Sequence, residues 1–172
     1  DKEGLYRTVL EEVFHLGFTR FPATMGLAPD ADPEERLRAF IRAMFYRLQS
    51  KEGWGGIAGR GRLIAREILD PSPAFEAVLD RYIKPHRDLL VVILQDIAGS
   101  GCGPEKLLPC AISIIGQCIY YAMASPVIRK VSAANAPTEA NLDKLADFVW
   151  RFSLGGIAAS TAATPRQRKK SL

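Results

Sequence analysis

Arg62-Leu63-Ile64-Ala65-Arg66-Glu67-Ile68-Leu69-Asp70-Pro71-Ser72-Pro73, with the apolar-striped run that continues to Ile97, is the stretch from which the rest of the chain can be laid out. It reads as the end of one helix, a hard turn and the start of a longer helix. Ser72 is a favourable N-cap, and Pro73 fits the first helical position, where its missing N–H costs nothing. Glu76 places negative charge in the first turn, near the positive end of the helix dipole. Phe75, Val78, Leu79, Tyr82, Ile83, Leu90, Ile93, Leu94 and Ile97 then recur at helical spacing. His86 falls on the same stripe. Its neighbour Pro85 removes a backbone donor in mid-helix and predicts a kink there. A buried helix with a kink and a titratable ring on its core side is a candidate wall for a small-molecule cavity.

On the N-terminal side, Ile57–Leu69 reads as a short helix weakened at its front by Gly59 and Gly61, and Gly53-Trp-Gly-Gly56 breaks the helix before it. That earlier helix starts at Asp32-Pro33-Glu34-Glu35, an N-cap, a Pro at N1 and a Glu placed to close a capping box. Leu37, Phe40, Ile41, Met44, Phe45 and Leu48 make its stripe, which ends near Ser50. Gly17–Ala31 reads as a loop. Asp1–Leu16 reads as a helix capped by Asp1 and anchored by Leu5, Val9, Phe14 and Leu16.

On the C-terminal side, Gly99–Gly103 is a flexible turn, and Pro104-Glu105 opens a helix to about Ala124. No charged residue occurs from Leu107 to Ile128, a length that could span a bilayer. Pro109, Ser113, Gln117, Tyr120, Tyr121, Ser125 and Pro126 interrupt it, and the rest of the chain has a water-soluble pattern. A helix apolar on most sides is covered on most sides, and in so small a domain that predicts a partner subunit over one face. Ser125-Pro126 should cap a short basic helix through Val131. Thr138 should cap a last helix with the stripe Leu142, Leu145, Ala146, Val149, Phe152, Ser153 and Gly156, ending near Ser160. No segment alternates with period two. The expectation is an all-α domain of six to seven helices.

The chain has 172 residues, 48% of them apolar and 24% charged, which suits one globular domain. The net charge of +4 is carried by Arg166, Arg168, Lys169 and Lys170, because no acidic residue follows Asp147. Residues 1–165 are formally neutral and lack the electrostatic footprint of a nucleic-acid-binding surface. Cys102, Cys110 and Cys118 are odd in number and have no framework spacing, which argues for a reducing compartment, the cytoplasm. Two histidines and no Cys-x-x-Cys predict no metal site. There is no phosphate loop, dinucleotide fingerprint or nucleophile elbow, and no cofactor is expected.

Polar residues on otherwise apolar helices are more informative. Arg66 and Glu67 lie near a helix end, as a surface pair or as a brace. His86 lies on the core stripe. Gln117 and Tyr121 are one turn apart on the uncharged helix, and Met44 offers adaptable lining. A pocket needs a few such groups converging in an apolar wall. The candidate ligand-binding set is Met44, Phe45, Arg66, Glu67, Tyr82, His86, Gln117 and Tyr121.

Asp1-Lys2-Glu3-Gly4-Leu5-Tyr6-Arg7-Thr8-Val9-Leu10 resembles the stretch just after the recognition helix in TetR-type transcriptional regulators. Further along come Arg66-Glu67, Pro71-Ser72-Pro73-Ala74-Phe75 and Ile83-Lys84-Pro85. Ser113-Ile114-Ile115-Gly116-Gln117-Cys118, Ala146-Asp147-Phe148 and Phe152-Ser153-Leu154 follow in order. Together these look like the C-terminal domain of the CecR-like branch of that family, over about 1–157. The resemblance implies an all-helical homodimer whose last two long helices, about 104–124 and 138–160, pair with their twins as a four-helix bundle. It places Leu108, Ile112, Ile115, Ile119, Leu145, Val149, Phe152 and Gly156 at that interface. It implies a small, largely hydrophobic effector among helices matching 33–50, 57–69, 73–98 and 104–124. Residues 1–16 would be the helix linking this body to a DNA-reading head missing from the chain, with Lys2 near a phosphate and operator DNA bound only through that head. Residues 17–160 would be the sensing and dimerising domain, and 161–172 a disordered basic tail. No membrane partner is expected.

The expected function is thus a ligand-responsive transcriptional regulator, a repressor, without enzymatic activity. Two alternatives compete with it. One is a small helical enzyme using His86 as acid or base with Glu67 as its partner, which requires the two within hydrogen-bond reach. The other is a structural dimerisation module without a cavity.

Overall fold

Helix α1 spans Lys2–Arg20 and is started by Asp1, whose carboxylate accepts the Gly4 N–H at 2.6 Å. The computed structural model describes residues 1–55, 60–99 and 101–161. Helix α2 is Pro33–Gln49, with the Asp32 carboxylate accepting the N–H groups of Glu34 and Glu35 at 2.9 and 3.1 Å. Helix α3 is Arg60–Leu69. The long helix α4 is composite: a 3-10 turn Pro73–Phe75, one α-turn Glu76–Val78, a π-turn Leu79–Ile83 and a regular helix Lys84–Ala98. Helices α5 (Pro104–Met123), α6 (Ser125–Val131) and α7 (Leu142–Thr161) complete the fold. The described residues contain no strand.

The central helix is α2, which packs against α1, α4, α5 and α7. Its residues Leu37, Phe40, Ile41 and Phe45 are fully buried among Leu90 and Leu94 of α4, Leu107, Ala111 and Cys118 of α5, and Leu142 and Val149 of α7. Each buried side chain of this size contributes about 1.5–3 kcal/mol relative to exposure. Outside the core, Arg38 and Arg42 make two-pronged ion pairs with Asp147 and Asp143, holding α7 in register on α2. A second cluster joins Leu10, Val13 and Phe14 of α1 to Trp54, Ile64, Phe75 and Val78.

Several local expectations are corrected. The first helix runs on to Arg20 because Gly17 seats the Trp54 indole directly on the helix backbone, where a Cβ would overlap the ring. Its buried face is Leu10, Val13, Phe14 and Gly17, while Leu5, Val9 and Leu16 point outward. Pro85 is not the site of the irregularity in α4. The π-turn precedes it, closed by the Lys84 N–H on the Leu79 carbonyl, in the turn whose regular bonding the Pro85 ring and its missing N–H prevent. Ser72 makes no capping bond, since its hydroxyl is used by Glu67. Ser125 is itself helical, after Ala124. Thr138 does not cap α7: Asn141 organises that turn, accepting from the Thr138 N–H and donating to the Ala136 carbonyl. Thr161, expected in the tail, is helical, with its hydroxyl on the Ile157 carbonyl at 2.9 Å. Residues 57–59 of the third helix and 162–172 of the tail lie outside the described residues.

Candidate functional site

A cavity of about 280 Å³ lies where the two clusters meet. Helix α1 supplies Phe14 and Phe18, and α2 supplies Met44, Arg47 and Leu48. Trp54 and Ile64 form another wall with Glu67, followed by Phe75, Leu79, Ile83 and His86 from α4 and Ile115 and Ile119 from α5. The volume is near the lower bound of about 300 Å³ common for ligand pockets, and the lining is apolar apart from three groups. Those groups are Arg47, Glu67 and His86.

The Arg47 side chain is 1% exposed. Its Nε donates to the Phe21 carbonyl at 2.8 Å, and its Nη1 lies 3.1 Å from His86 Nε2. The guanidinium also stands 4.2 Å from the Phe18 ring centre. Burial lowers its pKa to about 9, which leaves it charged at neutral pH. His86 is stacked on Phe40 at 4.1 Å and meets the edge of Phe18 at 5.1 Å. Burial, with the adjacent Arg47 charge, pushes its pKa down to about 2, so the ring is neutral. Because the guanidinium can only donate, Nε2 must accept, which puts the ring proton on Nδ1.

Glu67 is fully buried at the end of α3. Burial pushes its carboxyl up, but hydrogen bonds from the Tyr6 hydroxyl and from Ser72 outweigh this and hold it below the usual carboxylate range. One oxygen takes the Tyr6 hydroxyl, and the other takes the N–H and hydroxyl of Ser72, both at 2.9 Å. Burial and the facing carboxylate in turn push the Tyr6 phenol up. One face of Glu67 therefore borders the cavity while its oxygens tie α1 to the α3–α4 turn. Arg66 is exposed and lies over the Tyr6 ring at 5.9 Å, so the adjacent pair is a brace around α1.

Of the candidate set, the structure brings Met44, Glu67 and His86 to the cavity. Phe45 is buried in the main core against Tyr121, 5.5 Å between ring centres. Tyr82 packs behind the wall on Phe14 and Phe18. Gln117 and Tyr121 border an outer groove between α5 and α7, with the Gln117 amide bonded to the Ser113 carbonyl of its own helix. Ile115 and Ile119, expected at a dimer face, line the cavity, and Leu145 and Val149 lie in the core. Leu108, Ile112, Phe152 and Gly156 do point outward, beside Gly116, Tyr120 and Phe148. Lys2 is exposed on the first turn of α1.

His86 and Glu67 share no hydrogen bond. Each is engaged elsewhere, which removes the acid–base pair that an enzymatic reading needs. Arg47 is absent from the candidate set that the sequence suggests. Its spacing from Phe40 and Met44, seven and three residues, was the available signal. Trp54 was signalled only as a lone large ring between glycines. Burial pushes the Cys118 thiol up to about 12 and leaves it an inert core group. The described residues hold no cluster of metal-ligating side chains.

No curated protein matches the chain. The family described as the C-terminal domain of the HTH-type transcriptional dual regulator CecR matches residues 33–157, from the first residue of α2 into the last turns of α7. The match takes in most of the cavity wall and the whole main core, and leaves α1 outside it. The chain belongs to this family of C-terminal domains from TetR-type transcriptional regulators.

Proposed function

We propose that the chain is the small-molecule-sensing and dimerising body of a ligand-responsive transcriptional regulator, acting in the cytoplasm. The observation that carries this reading is the apolar cavity whose wall is shared by the bundle helices and α1. A guest there touches Phe14 and Phe18 on one side and Glu67, the tether of Tyr6, on another. A small, largely hydrophobic effector that prefers one placement of α1 shifts the population toward it. α1 would pass that shift to a DNA-reading head joined to its N-terminal side, with Lys2 near the phosphates and operator sequence read by the head alone.

The dimer half of the proposal rests on the outer faces of α5 and α7. Leu108, Ile112 and Tyr120 on one, and Phe148 and Phe152 on the other, are exposed large hydrophobic groups. Helix α5 is long and apolar enough to cross a membrane by length and composition, yet Leu107, Ala111, Ile114 and Cys118 are buried against α2, α4 and α7. Two grooves run along this face, one of about 260 Å³ beside Phe152 and Gly156 and one of about 580 Å³ beside Tyr120 and Phe148. A second copy related by a two-fold axis would fill them with the same helices. Large apolar groups exposed together along two neighbouring helices are what such an interface would cover.

The test of sensing is a thermal-shift screen with aromatic small molecules on the chain and on an Ile115→Trp variant, which fills the cavity. Compounds that raise the melting temperature of the first and not of the second are expected. Shifts that survive the tryptophan place the binding elsewhere and overturn the assignment.

A further inference from the structure

We infer that the cavity selects an acidic effector, an apolar body carrying a carboxylate or similar anion that is received by the Arg47 guanidinium. The inference rests on the cavity being the effector site. It starts from a charge without a counter-charge. A buried guanidinium is ordinarily matched by a carboxylate, because an unpaired charge out of water is costly. Among the described residues none forms an ion pair with Arg47, although six other pairs are formed on the surface. Its Nε and one Nη1 proton are used by Phe21 and His86, and its Nη2, wholly buried, has no hydrogen-bond partner.

The neighbouring groups cannot supply the missing negative charge. His86 is neutral and offers only the Nε2 lone pair already facing Arg47. Glu67 borders the same cavity and is ionised, but its oxygens are turned to Tyr6 and Ser72 and it forms no ion pair with Arg47. What remains of the wall near Arg47 is the Phe18 ring and the Met44 thioether, 3.9 Å from Nη1. The cavity thus joins an unneutralised cation to apolar walls. In such a medium a charge-assisted hydrogen bond is far stronger than in water, and the planar guanidinium fork suits a carboxylate. A cationic ligand would meet the Arg47 charge, and the one carboxylate on the wall, Glu67, already has both oxygens engaged by Tyr6 and Ser72. A neutral amide could accept a hydrogen bond but would leave the charge uncompensated.

The proposal is tested by calorimetric titration of the full chain with three probes of one shape: 2-naphthoate, 2-naphthamide and protonated 2-naphthylmethylamine. The acid should bind at least about tenfold more tightly than the amide, roughly 1.4 kcal/mol, and the amine should not bind. Ile115→Trp should abolish binding of the acid. Arg47→Met should bring acid and amide within about twofold of each other, chiefly by weakening the acid, and Arg47→Lys should restore part of the preference. Because Arg47→Met also loses the bond to Phe21, its fold is checked by circular dichroism, and the ranking on the unaltered chain stands whether or not that variant folds. Equal binding of acid and amide to the unaltered chain, or a preference that persists in Arg47→Met, overturns the acidic effector while leaving the cavity as a binding site. If none of the three probes binds, both the inference and the sensing role of the cavity fall together.

Discussion

His86 carries a pH dependence that follows from its burial. In the folded chain the ring stays neutral down to about pH 2, whereas in the unfolded chain it takes a proton below its usual value near 6.5. Between those limits the unfolded state holds one more proton, so stability falls as pH falls, by about 1.4 kcal/mol per pH unit below 6.5. Urea unfolding at pH 7.5 and 5.5 should show this loss, and His86→Gln, which keeps an acceptor and cannot be charged, should remove it. An unchanged slope in that variant would mean that the ring is hydrated in the folded state. Tyr6→Phe should cost about 1.5–3 kcal/mol, the range for a hydrogen bond to a charged group, because Glu67 loses its donor from α1. His86 was legible from its place on an apolar stripe, and Glu67 from its place near the end of an otherwise apolar helix. The role of Glu67 was not, since its partner Tyr6 is 61 residues away in sequence.

Elements were legible where local chemistry settles them. Asp32-Pro33 starts α2 and Asp1 starts α1 in the way their side chains dictate. Misreadings arose where a second element competes for the same group. Ser72 would cap α4 in isolation, but buried Glu67 takes its hydroxyl. Gly17 reads as a helix stop, but Trp54 needs a surface without a side chain and donates its indole N–H to the Val13 carbonyl at 2.9 Å. Gly17→Ala is therefore expected to destabilise the fold by about 1–3 kcal/mol, the usual cost of overpacking, although alanine is the better helix former. Thermal unfolding checks this, and a raised melting temperature would show that the indole can move aside. Such a shift would also reshape the cavity, since Trp54 is part of its wall.

For the whole molecule, the decisive element is α5, which is apolar almost all round. A helix without a polar face has no internal mark of which side faces out, so Ile115 and Ile119 were assigned to a dimer face and lie instead against the cavity. The faces available to a second copy are one step round the helix, at Ile112, 61% exposed, and on α7 at Phe152, 63% exposed. The chain should sediment with twice its 18.9 kDa mass at micromolar concentration. Ile112→Lys combined with Phe152→Glu should give a folded monomer, because neither side chain belongs to the core. A variant that stays dimeric would move the interface off α5 and α7. A dimer that separates should still bind its ligand, since no residue of the cavity wall is on that face.

The sequence alone determined the all-α class, the helices and most of their starts, and the kinship to TetR-type regulators. These depend on periodicity, caps and short ordered motifs that neighbouring residues carry among themselves. Only the tertiary structure decided which side of each apolar helix is inside, that Arg47 is buried without a counter-ion, and that Tyr6 reaches Glu67. Those outcomes depend on residues far apart in the chain competing for the same volume and the same hydrogen bonds, and no local pattern records who wins.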